Sequence, residues 1–273
     1  MANPIIKWAG GKRQLLNELI QRLPEQYNCY WEPFFGSGAL FFAVEPNQAI
    51  VGDFNRELTN LYDAVQNDII RLIELLKTYQ DNYNSLSSQE ERNAYFYEIR
   101  DLFNERINNP VLTIEDAAIL VFLNKSCYNG LYRVNARGFF NTPTAHKKRL
   151  SLFNEGDLVN CARVLRGVEM RTGDFEANCD GVQAGDFVYF DSPYYDTFDT
   201  YQAGGFNEAE HRRLADLFRR FTDMGVYCML SNSNTGFIKD LYSNYRIEVV
   251  DVKRMINADA ANRGGTEVII RNY

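Results

Sequence analysis

Tyr30-Trp31-Glu32-Pro33-Phe34-Phe35-Gly36-Ser37-Gly38, followed by the apolar run Ala39 to Val44, is the stretch on which the fold turns. The aromatic run predicts a strand, the Gly-x-Gly ends it, and Ala39 to Val44 predicts a helix. Strand, Gly-x-Gly and helix open a mononucleotide-binding βα unit of an α/β sheet. Against the dinucleotide fingerprint the glycine set is incomplete, so a dinucleotide is not implied. Downstream, Ala49-Ile50-Val51-Gly52-Asp53 predicts a second strand ending in an acid. An acid about 15–20 residues after such glycines suits ribose hydroxyls, with a helix N-cap as the plainer alternative.

Upstream, Ile5 to Lys12 reads Ile-Ile-Lys-Trp-Ala-Gly-Gly-Lys. Gly10 and Gly11 beside Trp8 suggest a loop whose backbone approaches a ligand, although Trp8 alone equally suits a core. Leu15, Leu16, Leu19, Ile20 and Leu23 then share one helical face, and Pro24 stops it.

Residues 56–124 read as helix throughout, with a capping box at Ser88 and Glu91 and a helix start at Thr113 and Asp116. No strand alternates with these helices, so they look inserted into the α/β unit. From Val121 to Leu150 there are six Lys or Arg and no Asp or Glu, whereas Asp53 to Asp116 holds thirteen acids against six bases. The whole-chain charge of −7 therefore conceals a local basic footprint. That stretch carries Tyr128-Asn129-Gly130-Leu131-Tyr132-Arg133, then Asn135, Arg137, and Lys147-Lys148-Arg149. Aromatics interleaved with Arg, Lys and Asn suit stacking, phosphate contact and base-edge hydrogen bonds. The plain alternative is a solvated loop.

The α/β pattern then resumes. Leu158 to Leu165 predicts a helix, and Val168 to Arg171 a strand running into Gly173-Asp174-Phe175. Phe187-Val188-Tyr189-Phe190 predicts a buried strand ending in Asp191-Ser192-Pro193-Tyr194. A carboxylate and a nearby main-chain carbonyl can both accept from one planar amino group, and an aromatic face beside them can hold a flat ring. Taken alone, the four residues also read as a strand-ending Asp with a proline turn. Asn207 and Glu210 predict a helix start for Glu208 to Met224, Val226 to Leu230 a strand, and Arg246 to Val252 and Glu267 to Tyr273 two more.

With 273 residues and 45% hydrophobic content the chain can bury a core, in one large domain or two. No run of about 18 apolar residues predicts a membrane span. The N-terminus lacks a basic flank before an apolar core, so no signal peptide is expected. Five scattered cysteines, with no metal-type pair among them, predict a reduced, intracellular protein that uses no metal.

Taken in order, these motifs make the chain resemble the Dam-type DNA adenine-N6 methyltransferases. The markers are Lys7 to Lys12, Glu32 to Gly38, Asp53-Phe54-Asn55, Tyr128 to Arg133, Gly173-Asp174-Phe175, Asp191 to Tyr194 and Asn262 to Thr266, and they span nearly the whole chain. The resemblance implies a Rossmann-like sheet of about seven strands. Residues 1–55 and 154–273 would form a catalytic domain and residues 56–153 a helical target-recognition domain. It implies S-adenosyl-L-methionine as cofactor, held by Trp8, Gly10, Lys12, the Phe35-Gly36-Ser37-Gly38 turn, Asp53, Asp174-Phe175 and Asp191. Asp191, Ser192, Pro193 and Tyr194 would be the catalytic loop.

Double-stranded DNA would be the partner, methylated at the adenine of GATC. Tyr128 would wedge into the stack, Asn129 fill the vacated space, Leu131 touch a thymine methyl, and Arg133 and Lys7 read guanines. Asn135, Arg137, Lys147 and Lys148 would add contacts to the duplex. A monomer suffices for this chemistry, and a restriction endonuclease could act separately. In the family's Asp-Pro-Pro-Tyr, Ser192 stands where a proline is usual; a main-chain carbonyl is retained, and a fixed φ is lost. The segment Tyr195 to Phe206 is expected to move without DNA.

Other chemistries fit less well. Cytosine-C5 methylation needs a Pro-Cys nucleophile, and none of the cysteines follows a proline. A zinc deaminase needs His-x-Glu and Cys-x-x-Cys, which are missing here. Methylation of cytosine N4, RNA or protein glutamine shares the Asp-x-Pro-Tyr logic, and a catalytically dead DNA-binding relative would share the fold.

Overall fold

In the computed structural model the described residues are 3–8, 15–195, 205–253 and 264–273. Among them, seven strands form one sheet in the order β3-β2-β1-β4-β5-β7-β6. The strands are β1 (Tyr30–Glu32), β2 (Ala49–Asp53), β3 (Glu169–Thr172), β4 (Phe187–Phe190), β5 (Tyr227–Ser233), β6 (Arg246–Lys253) and β7 (Gly264–Arg271). The first five run parallel, and β7 lies antiparallel between β5 and β6. The predicted Rossmann-like α/β sheet is therefore present. From β1 the chain winds outward through β2 to β3, then returns to β4 on the other side of β1. The direction of winding reverses between β1 and β4, and in open α/β sheets that switch point is where a ligand crevice forms, at the C-terminal strand ends.

Strand β4 is buried at every position, which fits a central strand covered on both faces. One face carries α8 (Phe175–Asn178), α9 (Glu208–Asp223) and α10 (Gly236–Leu241), whose Leu214, Leu217, Phe218 and Ile238 pack with Val188, Phe190 and Leu230. On the other lie α1 (Leu16–Ile20), α2 (Ala39–Val44), α3 (Arg56–Asn67) and α7 (Glu155–Leu165). The periodicity from Leu15 to Leu23 predicts a longer first helix than the five residues found.

Between α3 and α7 come α4 (Ile69–Ser85), α5 (Gln89–Arg106) and α6 (Ile114–Ser126). Both predicted capping boxes close, Ser88 with Glu91 and Thr113 with Asp116. Helix α6 is buried along nearly its whole length, packed against α3, α4 and α5. A helix apolar all round has no solvent face, so α6 is the axis of the helical segment. Its Phe122 touches the rings of Tyr79, Tyr83, Tyr95 and Phe96. No described helix is long and apolar enough to cross a membrane.

Candidate functional site

Strands β4 and β5 are paired up to Phe190 and Leu230. Beyond that point the backbone ladder ends, and side chains of β5 take over. Ser231 Oγ donates to Asp191 Oδ1 at 3.1 Å. Because the single serine hydrogen goes there, Tyr189 donates to Ser231, across 2.9 Å. Asn232 Nδ2 donates to Ser192 Oγ at 3.3 Å, while Asn232 Oδ1 accepts from Tyr195 N at 3.0 Å. Ser233 Oγ donates to the Tyr195 carbonyl at 2.8 Å. Three successive β5 residues thus grip the loop that the Asp191 motif forms. Tyr194 leans the other way, onto β7. Burial, together with the nearby acids Asp191 and Glu267, raises its hydroxyl well above the ordinary tyrosine range, so it stays a donor.

The glycine turn after β1 lies across the switch point from this loop. Gly36 and Gly38 hold φ of 52° and 64°. A Cβ on Gly38 would come within 2.6 Å of the Phe35 ring, and one on Gly36 within 3.1 Å of Trp8. Space as well as backbone therefore demands glycine. Asp53 Oδ2 accepts from Gly36 N and Oδ1 from Asn55 N, both at 2.8 Å. The helix cap at this strand end is Asn55, whose Oδ1 accepts from Leu58 N. Asp53 instead ties the glycine turn to β2. Burial pushes its carboxyl up to about 6, against the pull of backbone N–H groups from Asn55, Gly36 and Phe54. Phe54, part of the Asp53-Phe54-Asn55 marker but given no role by it, stands 58% exposed beside it.

Asp174 caps the short α8 through Glu176 N at 3.0 Å and takes Arg213 Nη2 at 2.9 Å. Phe175 is sandwiched, with Phe34 stacked at 5.3 Å between centroids and the Arg213 guanidinium 4.8 Å from its ring. Arg213 belongs to α9, and sequence spacing gave no hint of it.

The basic stretch meets the N-terminal loop through a residue the sequence did not single out. Asn124 Oδ1 accepts from Lys7 N at 3.0 Å, and Asn124 Nδ2 donates to the carbonyls of Lys7 and Gly130 at 2.8 and 3.0 Å. Trp8 packs on Tyr132 at 5.0 Å between centroids. The indole therefore lies between the Gly36 turn and the Tyr128 turn. At that second turn Asn129 is left-handed, φ 55°, and Tyr128 and Leu131 are 56% and 39% exposed. Arg133 Nε donates to Asn141 Oδ1 at 2.7 Å. Asn135 Oδ1 closes its own loop by accepting from Arg137 N and Phe139 N. Lys147 Nζ reaches the Lys125 carbonyl at 2.6 Å, and Arg137 and Lys148 are exposed.

Trp8, Phe35 to Gly38 (Ser37 among them), Asp53, Asp174-Phe175 and Asp191 to Tyr194 thus gather at the C-terminal edge of β1 to β4, and Lys7 joins the Tyr128 turn. Gly10, Lys12, the segment 196–204, and Asn262 with Arg263 lie outside the described residues.

A family model described as D12 class N6 adenine-specific DNA methyltransferase matches residues 8–256. The chain is 39% identical over 287 residues to the Type II methyltransferase M.MjaIII of Methanocaldococcus jannaschii, covering 99% of both. It is 35% identical over 278 residues to the Type II methyltransferase M1.LlaDCHI of Lactococcus lactis subsp. cremoris, covering 99% of this chain and 95% of the relative. With the DNA adenine methylase of Serratia marcescens it shares 30% identity over 277 residues, 98% of this chain and 97% of the other.

Proposed function

The chain belongs to the D12 class of N6 adenine-specific DNA methyltransferases, and we propose that it carries a methyl group from S-adenosyl-L-methionine to N6 of an adenine turned out of a GATC duplex. The observation that carries this reading is the Asp191 loop, gripped by β5 and facing a glycine turn across the switch point between β1 and β4.

The nitrogen of an adenine amino group is conjugated with its ring and is a poor nucleophile. Asp191 and the Ser192 carbonyl would accept hydrogen bonds from its two N–H groups, drawing the nitrogen toward sp3 geometry with its lone pair available. Positive charge grows on that nitrogen as it is alkylated, so acceptors already in place stabilise the transition state more than the ground state. Ser231, held by Tyr189, fixes the Asp191 carboxylate for this task. Tyr194, with its hydroxyl engaged by Glu267, would offer its ring to the turned-out base, because an amine inside a duplex is out of reach.

The residues around the glycine turn fit the cofactor. Asp53, half-buried and already accepting from Gly36 N and Asn55 N, would offer its remaining lone pairs to ribose hydroxyls, Phe54 would offer a ring face, and Trp8 and Asp174-Phe175 would complete the wall. Gly10 and Lys12 belong to the same proposal. When bound, S-adenosyl-L-methionine supplies an electrophilic methyl on a sulfonium.

For DNA, exposed Tyr128 suits the wedge, Asn129 the vacated space, Leu131 a thymine methyl, and Arg133 and Lys7 guanine O6 and N7. Arg137, Lys147, Lys148 and the remaining donors of Asn135 suit backbone contacts. Residues 56–153 would then form the target-recognition domain, and residues 1–55 with 154–273 the catalytic one. The protein would act as a monomer, with any partner endonuclease acting separately, as the Type II names of two relatives suggest. Plasmid DNA from cells expressing the protein should resist a nuclease blocked by N6-methyladenine in GATC. N6-methyladenine confined to another motif would remove the GATC assignment alone, and methylcytosine in its place would remove the reading of this site.

A further inference from the structure

We infer that Asn232 is a positioning residue for this reaction: its buried amide fixes the direction of the Ser192 carbonyl. This rests on the catalytic reading of the Asp191 loop given above.

Asn232 is fully buried and Ser192 nearly so, at 0% and 2% exposure. The amide orientation is settled by its surroundings. Its oxygen accepts from Tyr195 N at 3.0 Å and Ser233 N at 2.8 Å, and a backbone N–H can only donate. The amide nitrogen therefore faces Ser192 Oγ, at 3.3 Å. One rigid planar group thus holds the loop at two places, residue 192 by its side chain and residue 195 by its backbone.

Between the two anchors lie the Ser192 carbonyl and Pro193. The proline ring fixes its own φ and confines the preceding residue to extended backbone. The freedom that remains is rotation about the N–Cα bond of Ser192, which carries its carbonyl with it. Serine places no ring constraint on its own φ, and the Asn232 contact supplies a tether from outside. Ser233 Oγ, bonded to the Tyr195 carbonyl at 2.8 Å, secures the far anchor. Asn232 touches no reacting atom in this scheme and acts through the loop.

Three variants test this with S-adenosyl-L-methionine and unmethylated plasmid DNA in single-turnover and steady-state assays. Ser192→Ala and Asn232→Ala should each lower kcat by about tenfold or more, with both KM values within about twofold, because a small misplacement of an acceptor is felt in the chemical step. Ser192→Pro lacks the hydroxyl and restores backbone restriction, and it should recover kcat to within about threefold of the parent. If Asn232→Ala fails to fold, the two Ser192 variants decide. Parent-like turnover in Ser192→Ala would overturn the inference, as would activity loss that only tracks a lowered melting temperature. An equal loss in Ser192→Pro would assign the role to the hydroxyl itself and overturn it too. Full turnover in Asp191→Ala would instead remove the catalytic reading, so the two failures are distinguishable.

Discussion

Tyr194 Oη donates to Glu267 Oε2 at 2.6 Å, so a strand that runs antiparallel to its neighbours holds the last residue of a loop that leaves the parallel part of the sheet. The ring is thereby oriented by its hydroxyl. Tyr194→Phe keeps the ring and loses the tether, and should reduce kcat by about three- to tenfold, the worth of one charge-assisted hydrogen bond only partly expressed. Tyr194→Ala loses the face itself and should fall much further. Equal activity in Tyr194→Phe and Tyr194→Ala, measured by methyl transfer to duplex DNA, would show that the ring is not used.

Asp191→Ala removes one acceptor and leaves the Ser231 hydroxyl without its carboxylate. Methyl transfer should drop by about 10²–10³ or more in kcat, the scale seen when one preorganised group is deleted. Folding and DNA binding should persist, because Asp191 ends a strand whose core contacts precede it. Circular dichroism and a gel-shift assay check those, and turnover near the parent value would sink the mechanism.

Asp53 gives a pH dependence. Its folded carboxyl is raised to about 6 from 3.8 by burial, so the folded state binds the proton more tightly than the unfolded chain. Its contribution to stability is therefore present at low pH and lost as pH rises through that window. Cofactor binding should show the opposite trend, since hydroxyl donors need the carboxylate. Affinity for S-adenosyl-L-methionine should weaken as pH falls through about 6, by about tenfold one unit below. Calorimetric titrations at several pH values, with Asp53→Asn expected to be weak and flat, test this. An identical pH profile in both proteins would place the titrating group elsewhere.

Arg133 and the lysines should separate specificity from affinity. Arg133→Ala should lose about 1–3 kcal/mol of discrimination at one guanine. Replacing Lys147 and Lys148 should weaken binding to every duplex and reduce its salt dependence. Binding to GATC and to single-substituted duplexes over a salt series distinguishes the two. A uniform loss from Arg133→Ala would demote it to a phosphate contact.

The sequence is most readable where the message is local. Phe187 to Phe190 announces a central strand by its apolar run, and Ser88 with Glu91 announces a helix start by chemistry three residues apart. Asp53 left two readings open, and the cap proved to be Asn55, two residues on. What stayed hidden depends on distant partners. Ser231, Asn232 and Ser233 read as a strand end and nothing more, because their role requires the register of β4 on β5. Asn124 meets Lys7 across 117 positions, and Arg213 meets Asp174 across 39. No periodicity encodes such a pair. The oxygen of Asn135 serves its own turn, since short polar side chains bond nearby backbone readily, a local role that its place in a basic stretch does not announce.

The parallel pairing of Tyr30 with Phe187 also sets a timetable for synthesis. At about 5–20 residues per second, roughly 8–31 s separate the emergence of these two residues from a ribosome. During that interval β1 can pair with β2, but the edge meant for β4 has no occupant, and Trp31 lacks the partners Val188 and Phe190 of its core cluster. A nascent chain halted before residue 187 should be cut readily by protease within residues 30–53, and one released after β5 should resist. The helical segment waits less: α4, α5 and α6 pack on one another and on α3, all made before residue 187, so they can consolidate while the two halves of the sheet are still apart.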